Sequence, residues 1–338
     1  CVMCDVWKSR SRDEVTADQL RVLLRGPLFR RIQHVGISGG EPTLRKDLPE
    51  SVAAILEALP DLRSFSITSH GFQAKRWEQF APRIRELCEQ RGVPLRLNFS
   101  LDGVGEVHDR VRGLRGAFGR TLASVEVAES DGVPIQLQAT VSRDNVYSVH
   151  GLLRYAVNRG SDVLFRRATT IERLDNRESV RDVALDESED SFFADFLRSQ
   201  PLHDATGNPA RRLFYRDLAE RLETGRERKA PCYYQHEGLV LDEHANLYHC
   251  SISTEAIGNA LEEDAYDLYF SEKSEAIRRR LLTQICPACV HDQSGAWSPA
   301  SLAAEVLRVS QPGRRTQQVI RRIHFAGELV SYAANAVT

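Results

Sequence analysis

Apolar and polar positions along this chain follow two alternating rhythms, one of period two and one of period 3.6. Thr16-Ala17-Asp18-Gln19 reads as a capping box, in which a hydroxyl and a glutamine three residues on satisfy each other's backbone donors. It opens an amphipathic helix through Leu24. His34-Val35-Gly36-Ile37-Ser38 is a short buried strand. Apolar spacing then predicts a helix from Leu48 to Leu59 and a strand over Ser64-Phe65-Ser66-Ile67-Thr68. A charged amphipathic helix over 74–91 stops at Gly92, where a residue free to turn left-handed is expected. A strand from Leu95 to Leu101, a helix over 117–131 and a strand from Ile135 to Val141 follow. A helix from Val146 to Arg159 and a strand over Val163-Leu164-Phe165-Arg166 complete the run.

Five strands separated by helices imply an α/β fold with a mainly parallel sheet and right-handed crossovers. In such sheets ligands bind beyond the carboxyl ends of the strands. Ser38–Glu41, Ser69–Gly71, Ser100–Asp102, Ser142–Asn145 and Arg166–Arg167 all fall there. Polar residues at five successive strand ends mark a site. Residues 171–231 change character, acidic from Asp182 to Asp190 and basic from Arg211 to Lys229, and read as a helical connector. Residues 232–295 carry four cysteines and two strand-like runs, Gly238–Leu241 and Asn246–His249. Residues 296–338 read as helices, Leu302 to Val309 and Gln317 to Tyr332.

Composition narrows the picture. At 338 residues, 42% hydrophobic and 27% charged, the chain has enough apolar content for one large domain and a smaller one. A net charge of −2 offers no basic field for nucleic acid. No run approaches the ~18–20 apolar residues of a membrane span. The seven cysteines stand at 1, 4, 88, 232, 250, 286 and 289. A secreted disulfide scaffold would be shorter and denser in cysteine, so metal ligation in a reducing cytoplasm is the expectation. Cys88, alone on a charged helix, reads as a partly buried thiol.

Two places carry candidate metal chemistry. Cys1-Val2-Met3-Cys4 precedes Ser38-Gly39-Gly40-Glu41-Pro42, a soft-metal pair ahead of a glycine-rich strand end. Two thiolates fall short of the three or four that a cluster or zinc takes. The only methionine is Met3, so residue 1 is not an initiator, and a further ligand is expected upstream. The second place is Cys232 and Cys250 with Cys286-Pro287-Ala288-Cys289. That set suits one fully ligated site, and its spacing alone is equally good for structural zinc and for iron–sulfur. Taken singly, Gly39-Gly40 and Asp102-Gly103 are turns and Arg143 is a solvated loop residue.

In order, these motifs resemble a family. Cys1-Val2-Met3-Cys4-Asp5-Val6-Trp7 resembles the end of the radical S-adenosylmethionine (SAM, AdoMet) signature C-x3-C-x-Φ-C, with Met3 at Φ and the first Cys absent. Gly39-Gly40-Glu41-Pro42 resembles its GGEP motif and Phe99-Ser100-Leu101-Asp102-Gly103 its SLDG strand. The resemblance implies a partial (βα)6 TIM-like barrel over residues 1–170, its first strand lying before Cys1. It implies a 4Fe–4S cluster held by Cys1, Cys4 and a third Cys, with AdoMet on the open iron. Reductive cleavage would release a 5′-deoxyadenosyl radical that abstracts a substrate hydrogen atom. Met3 would flank the adenine, and Gly39 and Gly40 would let the backbone approach the methionyl amino group. Glu41 would accept hydrogen bonds nearby, Ser100 and Asp102 would face the ribose or methionyl moiety, and Arg143 would pair with the carboxylate. Ser69-His70-Gly71 departs from the Asn-Gly common there, and His70 reads as a loop cap.

Residues 232–295 resemble the auxiliary-cluster region of the SPASM/twitch group, with Ala245 where glycine is usual. The further Cys-rich run of full SPASM domains is missing after Cys289, which implies one auxiliary 4Fe–4S cluster on Cys232, Cys250, Cys286 and Cys289. That cluster would accept an electron from the substrate radical or only hold the fold. Arg166, Arg167, Arg173 and Asn176 are candidates for the pocket mouth, with a surface or salt-bridging role as the plainer reading. The expected substrate is a small sugar- or aminocyclitol-like metabolite, with a ribosomal peptide as the alternative, and the electron donor a flavodoxin or ferredoxin. Two readings compete: a zinc-stapled binding protein without activity, and a family member that keeps the fold but not the chemistry.

Overall fold

The computed structural model describes residues 1–4, 6, 14–171, 176–252, 255–293 and 295–309. Arg173 and the helix expected over Gln317–Tyr332 lie outside these residues. In chain order the first elements are α1 (Ala17–Leu23), β1 (His34–Ile37), α2 (Leu48–Ala58), β2 (Ser64–Ser69), α3 (Ala74–Gln90) and β3 (Leu95–Ser100). Then come α4 (Glu106–Arg112), α5 (Ala117–Ser130), β4 (Ile135–Val141), α6 (Val149–Arg159) and β5 (Val163–Arg167). The capping box forms as expected, with the Thr16 side chain accepting from Gln19 N and Gln19 accepting from Thr16 N. Helix α4 is not expected from the sequence. It is seven residues long and bracketed by Gly105 and Gly113, both at positive φ.

The five strands pair in parallel in the order β1-β2-β3-β4-β5. Alternate residues of a strand point to opposite faces. One face carries Phe65, Ile67, Leu97, Phe99, Leu137, Val163 and Phe165, all buried in one core with helices α2, α3, α5 and α6. Trp77 of α3 sets its ring edge-on against Phe99, centroids 5.7 Å apart. Full burial of each such aromatic contributes roughly 2–3 kcal/mol.

The opposite face is polar. Thr68, Asn98 and Gln136 sit side by side across β2, β3 and β4; Ser100 pairs with Gln138, and Thr140 with Arg166. A parallel sheet covered by helices on both faces reads apolar throughout. Here the second face is the inner wall of a curled half-barrel, and it is lined for contact with something polar.

Four helices follow: α7 (Arg177–Val183), α8 (Glu187–Arg198), α9 (Gln200–Ala205) and α10 (Pro209–Thr224). Phe193 and Phe196 of α8 and Phe214, Tyr215 and Leu218 of α10 join the same core as the sheet. The buried Tyr215 hydroxyl accepts a hydrogen bond from Phe165 N (3.0 Å).

Beyond them β6 (Val240–Leu241), β7 (Asn246–Tyr248) and β8 (Gly258–Asn259) form a small antiparallel sheet, followed by α11 (Ala265–Tyr269), α12 (Glu272–Arg280) and α13 (Pro299–Val309). Ala245, in the β6–β7 turn, holds φ at +63°, the one non-glycine at positive φ among the described residues. The left-handed conformation costs an alanine about 1–2 kcal/mol. It is the conformation that makes glycine the usual choice at this turn.

Candidate functional site

The carboxyl ends of β1 and β2 are clamped by one buried carboxylate. Glu41 Oε1 accepts from Thr43 N (3.1 Å), Thr43 Oγ1 (2.7 Å) and Ser69 Oγ (2.8 Å). Glu41 Oε2 accepts from His70 N (2.8 Å) and faces His70 Nε2 at 3.3 Å. A carboxylate has about four acceptor sites, so this one is filled by its own fold. His70 caps the loop: its Nδ1 accepts from Phe72 N (3.0 Å) and its ring stacks on Phe72. Burial holds the His70 pKa below its ordinary value, Glu41 raises it, and Arg112 lowers it. Gly71 has φ +74°, and a Cβ there would lie 3.1 Å from Phe99 and 3.2 Å from Thr121.

Between these clamped ends, Ser38, Gly39 and Gly40 are exposed. Gly39 has φ +128°, outside the range of ordinary side chains. A Cβ on Gly40 would stand 3.9 Å from the Val6 side chain, so the chain leaving the Cys1–Cys4 turn passes beside the open glycines.

Asp102 turns inward. Its carboxylate, 1% exposed, accepts from Thr140 N (2.9 Å) and pairs with Arg112 Nε at 2.6 Å. Asp102 N donates to His108 Nδ1 (3.0 Å), and Asn145 Nδ2 donates to Asp102 O (2.7 Å). The carboxylate thus joins β3, β4 and α4, leaving the half-buried Ser100 as the open polar side chain at the end of β3. His108, fully buried, is pushed down to about 4 by burial, against the pull of Asp102.

Cys1 and Cys4 pack with Met3 against Val111 of α4, Val183 of α7 and Ala168, the residue after β5. Backbone bonds hold the turn, Val2 N to Val111 O (3.1 Å) and Cys4 N to Cys1 O (3.3 Å), and Asn176 Nδ2 donates to Met3 O (3.0 Å). Both thiols are part-exposed beside the sheet's carboxyl edge, and soft thiolates in that position fit iron of a cluster.

The arginines at the strand ends are paired. Arg143 Nε lies 3.3 Å from Glu189 Oε2, and Arg167 grips Asp190 with two bonds of 2.7 and 2.8 Å. Arg166 donates to Gln138 Oε1 (2.6 Å) and lies 3.3 Å from Asp292 Oδ2. Of the candidates for the pocket mouth, Arg166 and Arg167 therefore serve as ion-paired struts. Asn176 holds the Cys turn and accepts from Ile171 N (2.8 Å).

The second cysteine set lies in the segment that carries the small antiparallel sheet and the turn after α12. Cys250, Cys286 and Cys289 share a small cluster with Ile252, Leu281, Ile285 and Tyr234. Cys232 is close enough to feel Cys250 and Cys289, and burial raises its pKa; burial raises that of Cys286 to about 11. None of the seven cysteines is in a disulfide. Among the described residues no three His, Cys, Asp or Glu side chains stand together at metal-binding distance. Four soft donors fit iron or zinc.

Arg228 is the residue here that the sequence does not announce. It donates to Ala230 O (2.8 Å), Pro231 O (3.4 Å), His291 O (2.8 Å) and Gln293 O, and its Nη1 lies 3.8 Å from Cys289 Sγ.

Comparison with known proteins agrees with this geometry. The family model described as the Radical SAM superfamily matches residues 1–145. The Fe-coproporphyrin III synthase of Methanosarcina barkeri is 34% identical over 112 residues, 33% of this chain and 26% of that protein. The pre-heme d1 synthase of Dinoroseobacter shibae is 29% identical over 153 residues, 45% of this chain and 35% of that one. The GTP 3′,8-cyclase of Erythrobacter litoralis is 24% identical over 208 residues, 61% and 59% of the two chains. The chain thus spans about a quarter to three fifths of the length of these curated relatives. Among solved structures, native anSMEcpe with bound AdoMet shares the fold at a TM-score of 0.59 and 14% identity, over 97% of this chain and 96% of that one. Five parallel strands with a polar inner wall, a Cys turn at their carboxyl edge and the family match over residues 1–145 identify a radical SAM domain in the first part of this chain.

Proposed function

We propose that the chain is a radical AdoMet enzyme acting on a small sugar- or aminocyclitol-like metabolite. The observation that carries the reading is the meeting, at one edge of the sheet, of the Cys1–Cys4 turn with the open backbone of Ser38–Gly40. Cys1 and Cys4 would hold cluster iron. When bound, the cluster and AdoMet supply one-electron cleavage of the sulfonium and a carbon radical that abstracts hydrogen.

The chain's own residues do the rest. Glu41 keeps the glycine loop in place by holding Thr43, Ser69 and His70, so that exposed backbone groups of Gly39 and Gly40 would meet the methionyl end of AdoMet. Met3 lies against Val111 and would give the adenine an apolar neighbour. Arg143, half-exposed and in contact with Glu189, would reach the AdoMet carboxylate by leaving that contact. Cys232, Cys250, Cys286 and Cys289 would hold one auxiliary 4Fe–4S cluster. A flavodoxin- or ferredoxin-type protein would supply the electron. Among the described residues no helix is long and apolar enough to cross a membrane.

The test is reconstitution without oxygen, followed by iron and sulfide analysis and an assay for 5′-deoxyadenosine released from AdoMet under dithionite. The reading expects two clusters, ~8 irons per chain at four irons each, and release of the nucleoside. Zinc in place of iron, with no cleavage, would leave a metal-stapled binding protein.

A further inference from the structure

The inner wall of the half-barrel carries its own information about what it receives. Its central row is Thr68, Asn98 and Gln136, with Ser66 below and Ser100, Gln138 and Thr140 above, all uncharged donors or acceptors. Ser66, Thr68, Ser100, Gln138 and Thr140 are part-exposed, so the wall is reachable. Within the row Asn98 Nδ2 donates to Thr68 Oγ1 (3.2 Å), and Gln136 Nε2 donates to Asp162 Oδ2 (2.7 Å). Asn98, only 7% exposed, is left with a carbonyl oxygen that has no hydrogen-bond partner. A buried acceptor without a donor costs ~1–3 kcal/mol, and buried polar groups in folded proteins are nearly always satisfied. The oxygen belongs to the polar side of β3, because Leu97 and Phe99 on either side point into the helix-covered core.

The charges at the rim point the same way. Arg112 is matched by Asp102, Arg166 by Asp292 and Arg167 by Asp190. A substrate with several phosphates or carboxylates needs guanidinium groups whose partner is the substrate itself. Here each of these three already has a carboxylate of the chain. Arg96, on the same wall, stands at the amino end of β3, roughly 13 Å below Ser100 along the strand.

Resting on the function proposed above, we infer that the half-barrel takes a hydroxyl-bearing substrate free of phosphates and carboxylates rather than a polyanionic one, and that Asn98 accepts a hydrogen bond from it. Asn98 is then a specificity residue: its oxygen is satisfied only when a donor is brought to it, and a substrate without one leaves it unpaired.

The experiment uses the full chain with clusters reconstituted and AdoMet present. Saturation-transfer NMR is recorded with three separate probes: myo-inositol as a neutral polyol, GTP and coproporphyrin III as polyanions. Transfer to myo-inositol is expected, at least fivefold above either polyanion. Asn98→Leu, which keeps size and removes the acceptor, lowers that transfer about tenfold, the loss expected for one unsatisfied donor. Asn98→Asp, which keeps an acceptor, retains more of it than Asn98→Leu. Thermal unfolding of both variants separates loss of binding from loss of fold. Stronger transfer to GTP or coproporphyrin III, no transfer to myo-inositol, or equal transfer in a folded Asn98→Leu protein would each overturn the inference. Deoxyadenosine release without added substrate, assayed in the same preparation, reports on the proposed function separately.

Discussion

Arg166, on the inner wall at β5, and Asp292, three residues beyond Cys289, face each other across 3.3 Å. Burial works against the Asp292 carboxylate, but Arg166 and His291 outweigh it and hold its pKa below the usual carboxylate range. The pair fixes the cysteine-bearing segment against the barrel. Asp292→Asn removes the countercharge from a guanidinium whose side chain is 24% exposed. The expected cost is about 2–4 kcal/mol, less than for a fully buried pair. Replacing both partners with apolar residues of similar size should recover much of it. Urea unfolding midpoints decide the matter, and an unchanged midpoint for Asp292→Asn would show that the contact carries no load.

Glu41 is expected to act on AdoMet through the loop rather than by touch. Glu41→Gln turns one oxygen into an amide nitrogen that must face a donor, Ser69 Oγ and Thr43 on one side or His70 N on the other. The variant should lose about 1–3 kcal/mol of stability. It should also bind AdoMet several-fold more weakly, read by equilibrium dialysis. Full stability with weakened AdoMet binding would instead assign Glu41 a direct contact.

His108 sets an acid limit on the fold. Its folded pKa of about 4 lies below the 6.5 of an exposed histidine because burial disfavours the cation. The unfolded chain therefore takes up the proton first as pH falls. The contribution of neutral His108 is complete above about pH 6.5, declines as pH drops, and is gone near pH 4. Its size is on the order of 3 kcal/mol. His108→Gln, which can still accept from Asp102 N, should flatten the stability–pH curve between pH 4 and 6.5. Equal slopes in the two proteins would refute the assignment.

Much of the barrel is legible because its signals are local. The β strands and the helices between them follow from apolar spacing within windows of four to seventeen residues, and Thr16 announces α1 by its capping box. Helix α4 escapes because its seven residues hold only two apolar positions, Val107 and Val111, between glycines. The polar inner wall is visible as period-two alternation in Ser64-Phe65-Ser66-Ile67-Thr68, yet a strand with buried neighbours draws the eye to its apolar half. The partners of the rim arginines are not legible at all. Arg143 and Glu189 are 46 residues apart in sequence, and nothing local tells a chain which of its acids will neutralise which base. Asp102 and Arg112 are close in sequence, yet the inward turn of Asp102 is hidden too, because its motif reads the same whether the carboxylate meets a ligand or Arg112.

Arg228 bears on the order in which this protein is put together. Its bonds run to backbone carbonyls at 230–231 and at 291–293, the stretches next to Cys232 and Cys289, and none of them requires a metal. Many small metal sites exist only once the ion has gathered its ligands, so that loading and folding are one event. Here a guanidinium ties the stretches beside Cys232 and Cys289 to one another through the chain's own atoms, so this crossing of the fold does not wait on a metal ion.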